Sequence, residues 1–138
     1  MSSDQPTRYA VVSVSEVDPV VTPKSEIEGV VVKPLLNEGM GAEQYWLVHS
    51  EFPPGSGHRP HRHPHRDQAI YVLSGSLLYT DSEGGTRRIG AGEVVHVPAG
   101  EWHALDNDGE ESAFTLGLHG GTGSPRGGGY ELREDAES

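Results

Sequence analysis

The sequence has no cysteine, only two phenylalanines and two methionines, and ten basic residues against 21 acidic ones. Without thiols there is no disulfide framework, no thiolate ligand and no cysteine nucleophile, which fits a cytoplasmic setting. Any metal must be held by histidine, carboxylate or amide groups. The formal charge of −11 would repel phosphate backbones and anionic lipid, so no nucleic-acid or membrane-surface partner is expected. No apolar run approaches the ~20 residues of a membrane span. Residues 1–8 lack the charged-then-apolar pattern of a secretory signal. Helical periodicity is missing too, apart from a single turn that residues 23–28 could form.

What remains is rich in glycine, proline and short β-branched runs. Nineteen Gly and ten Pro punctuate segments such as Val11-Val12, Val30-Val31-Val32 and Val94-Val95. Strands are expected at 9–14, 29–34, 44–52, 68–73, 76–80, 93–97 and 112–118, with turn clusters at 37–39, 53–57, 82–85 and 106–109. Strands of about six residues with short loops describe an all-β antiparallel sandwich or barrel. One domain is expected over residues 9–119, after a flexible stretch at 1–8. Residues 120–129 hold six Gly, and 131–138 are mostly acidic, so 120–138 reads as a flexible tail.

Eight histidines are many for this length, and four of them, His58, His61, His63 and His65, fall within eight positions. Residues i and i+2 of a strand share a face, so His61 and His63 would present imidazoles ~6.6 Å apart at the backbone. That spacing lets two rings converge on one ion; a solvated polar strand face is the plain alternative. His58 is placed in the loop with Arg59 and Arg62. His49, His96 and His119 are read as surface or hydrogen-bonded side chains, with His96 facing away from Val95 and Val97. Arg59, Arg62 and Arg66 either pair with excess carboxylates or meet an anionic substrate.

Two longer patterns frame the cluster. The first is Gly55, five residues, His61, one, His63, four, Gln68, six, Gly75. The second is Gly92, five residues, Pro98, one, Gly100, two, His103, three, Asn107. Both resemble the two signature motifs of the cupins, except that Gln68 stands where the family has a glutamate. The resemblance covers residues 40–118 and implies a cupin jelly-roll of β-sandwich or barrel form. It implies His61, His63 and His103 as imidazole ligands of one divalent ion, with Gln68 in the carboxylate's place. A neutral amide cancels none of the ion's charge and leaves a stronger Lewis acid. His65 is the competing donor: a straight strand would set it ~13 Å from His61, but Pro64 breaks the ladder.

Within the cupins, the run from His61-Arg-His63-Pro64 through Gln68-Ala-Ile-Tyr71-Val72-Leu73 resembles the small aromatic polyketide cyclases of the tetracenomycin and resistomycin type. So do Val31-Val32-Lys33-Pro34-Leu35-Leu36 and Pro98-Ala-Gly100-Glu-Trp102-His103-Ala-Leu105-Asp-Asn107. This implies a metal-dependent cyclase acting on a poly-β-ketone, with zinc favoured and Fe(II), Ni and Mn as other candidate ions. A barrel interior lined by Phe52, Tyr71, Leu73, Leu78 and Trp102 would fold the substrate, and His65 or a metal-bound hydroxide would be the base. A homodimer is expected. An Fe(II) dioxygenase and a non-enzymatic small-molecule-binding cupin are the alternatives.

Overall fold

The computed structural model describes residues 9–21, 27–124 and 129–133. Glycine turns cut its β-branched segments into eleven strands among these residues. The first four are β1 (Ile27–Glu28), β2 (Val31–Leu36), β3 (Tyr45–Phe52) and β4 (Gly57–Arg62). Next come β5 (Gln68–Ser74), β6 (Ser76–Thr80), β7 (Thr86–Gly90) and β8 (Val94–Val97). The last are β9 (His103–Asp106), β10 (Ala113–Gly120) and β11 (Glu131–Leu132). Among the described residues, helix is limited to two single 3-10 turns, Val14–Glu16 and Glu38–Met40. No helix among the described residues is long and apolar enough to cross a membrane.

The strands form two antiparallel sheets, as the all-β jelly-roll reading requires. One runs β1-β4-β9-β6-β7, with β11 also paired to β4; the other runs β2-β3-β10-β5-β8. Phe52, Ile70, Val72, Leu77, Leu105 and Ala113 pack between them at 5% exposure or less. The β5–β6 connection is tight enough to require glycine. Gly75 has φ +79°, and a Cβ there would sit 2.7 Å from the Ser112 carbonyl oxygen.

Several expected features differ. Residues 9–14 form no strand: they find no ladder partner, and Tyr9 and Val11 are exposed. β4, β7 and β9 fall outside the expected strands, because Gly, Pro, Arg and His dilute the β-branched signal there. Of the helical turn at 23–28, residues 23–26 lie outside the described residues and the rest is β1. The expected loose terminus at 1–8, with 125–128 and 134–138 of the expected tail, also lies outside them. The described part of that tail makes defined contacts with the rest of the chain. Gly123 accepts from the Glu38 amide, and Glu131 and Leu132 pair with Arg62 and His61.

Candidate metal centre

The Pro53–Gly57 turn delivers β4 into the interior, and β4 carries His61 with His63 just past its end. His103 opens β9, and the β4–β9 register sets it opposite His61. All three imidazoles are buried, and their candidate ligand atoms lie within 4.8 Å of one another. Ring centroids are 4.3 Å apart for His61 and His103 and 5.1 Å for His61 and His63. Nδ1 of His61 lies 2.7 Å from the Arg59 carbonyl oxygen, and Nδ1 of His103 lies 3.0 Å from that of Glu101. A carbonyl only accepts, so these contacts hold the proton on Nδ1 and leave the Nε2 lone pair for an ion.

Electrostatics agrees with ligation. Burial, reinforced by His103, pushes the pKa of His61 well below the ordinary value. Burial also lowers that of His103, and burial with the Arg66 charge takes His63 down to about 3. The triad is therefore neutral at pH 7, the state in which imidazole binds metal. Nε2 of His103 and Oε1 of Gln68 are buried without a hydrogen-bond partner. Buried polar atoms are seldom left so, and a cation in their midst would satisfy both. The residues present fit a divalent ion.

Gln68 lines the same cavity as the triad, whereas His65 does not. His65 is exposed in the turn that Pro64 starts, so neither the ligand nor the base role expected of it has support here. His58, expected in the loop with Arg59 and Arg62, and His119, expected as a surface or hydrogen-bonded side chain, also line the cavity. His58 is three residues from His61 and should face the other way in a regular strand. The register of β4 against β9 shifts between them, however, and both face inward. Burial and then His103 lower the His58 pKa to about 4; burial and then Arg66 take His119 to about 2. His119 was legible in principle, since Thr115, Gly117 and His119 alternate with Phe114, Leu116 and Leu118. The polar set is the one that faces inward.

The cavity has a volume of about 330 Å³ and a mostly apolar wall that includes Val32, Val48, Phe52, Ile70 and Leu105. Phe52 was expected there. Tyr71 and Leu73 are instead more than 40% exposed on the outer face, Leu78 lies off the cavity, and Trp102 packs under Arg62 outside it. The physical reason is the two-residue period: with Gln68 inward, Ile70 and Val72 follow it, and Tyr71 cannot. His96 is exposed, as expected, and Arg62 pairs with Glu131 at 2.7 Å. Arg66, by contrast, is buried on the cavity wall.

Residues 48–118, just over half of the chain, match the cupin domain family. The chain is a cupin. Tetracenomycin polyketide synthase protein TcmJ of Streptomyces glaucescens is 32% identical over 79 residues, 57% of this chain and 52% of that protein. Germin-like protein subfamily 2 member 2 of Arabidopsis thaliana is 32% identical over 82 residues, 56% of this chain and 37% of that protein. The matched region thus spans about half or less of these curated relatives. Among solved structures, the polyketide cyclase RemF of Streptomyces resistomycificus superposes with a TM-score of 0.78. That match has 22% identity and covers 90% of this chain and 84% of that one. This cupin therefore resembles a tetracenomycin polyketide synthase protein in sequence and shares its fold with a polyketide cyclase.

Proposed function

We propose that this cupin is a metal-dependent polyketide cyclase, closing a ring in a poly-β-ketone by aldol condensation. The reading is carried by one observation: a three-imidazole centre opens onto a mostly apolar cavity in the same interior. The 32% identity to the tetracenomycin protein supports it. A bound divalent ion, with zinc expected, would act as a Lewis acid towards a ketone oxygen. His61, His63 and His103 would hold it, and Gln68 would stand beside it without cancelling its charge.

The chain's own residues supply the rest. Val32, Val48, Phe52, Ile70 and Leu105 exclude water and fold a flexible ketone chain onto itself, which raises the effective concentration of its reacting carbons. Ser50 and Thr115 place hydroxyls on the cavity wall, and the buried, unpartnered Nδ1 of His119 offers a further polar position for a substrate oxygen. A homodimer belongs to the proposal. Tyr45, Tyr71, Leu73, Val94 and Leu118 expose an apolar outer face on the β2-β3-β10-β5-β8 sheet, which a second copy would cover. A cytoplasmic setting is proposed from the lack of cysteine.

The test is coexpression with a minimal polyketide synthase. The wild-type chain should change the ring pattern of the products, and His103→Ala should return it to that of spontaneous cyclisation. Identical products from the two would contradict the proposal, and Fe(II)-dependent oxygen uptake would replace it with an oxygenase.

A further inference from the structure

We propose that β11 and the two residues before it form a strap that completes the metal centre, by fixing His63 in the tautomer able to bind an ion. The inference rests on the metal reading above. It concerns what residues 129–133 contribute to that site.

Two groups of opposite character compete for Nδ1 of His63. The Gly129 carbonyl oxygen lies 3.2 Å away, and a terminal nitrogen of Arg66 lies 3.0 Å away. A carbonyl only accepts and a guanidinium only donates, so one ring nitrogen cannot serve both. With its proton on Nδ1, His63 donates to Gly129 and keeps a lone pair on Nε2. With Nδ1 bare, it accepts from Arg66 and Nε2 carries the proton, which bars that nitrogen from an ion. The strap's carbonyl therefore favours the ligating tautomer, and Arg66 opposes it. His61 and His103 find their carbonyls two residues away, whereas that of His63 comes from 66 residues along the chain.

The aim of that carbonyl is built in. Gly129 has φ +85°, and a Cβ there would lie 3.2 Å from Cδ of Pro64. Tyr130 follows, its ring stacked on His61 at 5.1 Å and 17° and edge-on to His63 at 5.4 Å, where it walls the cavity. Beyond it the strap is fastened at the surface. Glu131 pairs with Arg62, the Arg133 amide donates to the Pro60 carbonyl at 3.0 Å, and the Arg133 side chain donates to the Ser82 carbonyl. Of these, the Glu131–Arg62 ion pair is partly exposed and holds weakly. Docking of the strap is therefore close enough to balance for the ion to shift it. Linkage then requires that metal tighten the strap by the same factor as the strap tightens metal.

The test uses cobalt(II) as the probe. In the full chain, hydrogen exchange at the amides of residues 131–133 should slow on saturation with cobalt; unchanged exchange would overturn the proposal without needing any variant. A chain ending at Ser124 should bind cobalt about 10–100-fold more weakly, the usual effect of losing a partner of a ligating histidine. Its visible cobalt spectrum should change as well, while metal-free melting confirms that it folds. Adding Arg66→Met to the shortened chain should recover part of the affinity, because the competing donor is gone; a strap that merely stabilised the fold would give no such recovery. Equal affinity and spectrum in the full and shortened chains would overturn the strap and leave the metal reading intact. Failure of the full chain to bind cobalt at all would overturn both.

Discussion

Gln68 on β5 and His119 on β10 are cross-strand partners that both line the cavity, and each carries a buried polar atom with no hydrogen-bond partner. That pairing bears on which side chain joins the triad. Gln68→Ala should weaken zinc binding about 10–100-fold, as losses around a metal site usually do. His65→Ala should leave it unchanged, because His65 is exposed in its turn. Competition titration with a zinc chelator measures both. A larger loss in the His65 variant would reverse the assignment.

The fold and the triad were legible because spacing survives folding. Turn glycines and motif distances are set by backbone geometry, so Gly75, His61, His63 and His103 stand where their spacing placed them. Facing was less legible. On β10 the apolar Phe114, Leu116 and Leu118 look like core, yet the cavity takes Thr115, Gly117 and His119. His58 was hidden by a bulge, which no two-residue period can anticipate. The contacts of 129–133 were hidden by its glycine-rich approach, since they come from residues about 70 positions earlier.

Register makes a direct prediction for stability. Phe52 is 1% exposed, so Phe52→Ala should cost about 3–5 kcal/mol in urea unfolding. Tyr71 faces outward, and Tyr71→Ala should cost less than about 1 kcal/mol. Equal losses would mean that β5 is turned the other way.

Asn107 closes the second motif through a buried amide. Its Nδ2 donates to the carbonyls of Phe52 at 2.7 Å and Glu111 at 2.8 Å, and its Oδ1 accepts from the Gly109 amide at 2.9 Å. Asn107→Ala would strand all three backbone groups and should destabilise the protein by about 2–4 kcal/mol. A change below about 1 kcal/mol in the same unfolding assay would show that the motif asparagine is dispensable.

Acid should destabilise the metal-free protein. His58, His63 and His119 have folded pKa values of about 4, 3 and 2, lowered first by burial. The unfolded chain takes up their protons near the ordinary value of about 6.5, while the folded chain resists, so stability falls as pH drops below that value. Each group can steepen the fall by up to about 1.4 kcal/mol per pH unit between about 6.5 and 4. Denaturant unfolding at pH 7, 6 and 5 measures the slope. A stability that rises towards pH 5 would contradict the buried, neutral cluster.

The central claim is that His61, His63 and His103 together hold one divalent ion. Elemental analysis of zinc-loaded, gel-filtered protein tests it most directly. The wild-type chain should carry one ion per chain, and His103→Ala should carry none. Full occupancy in the His103 variant, or an empty wild-type chain, would contradict it.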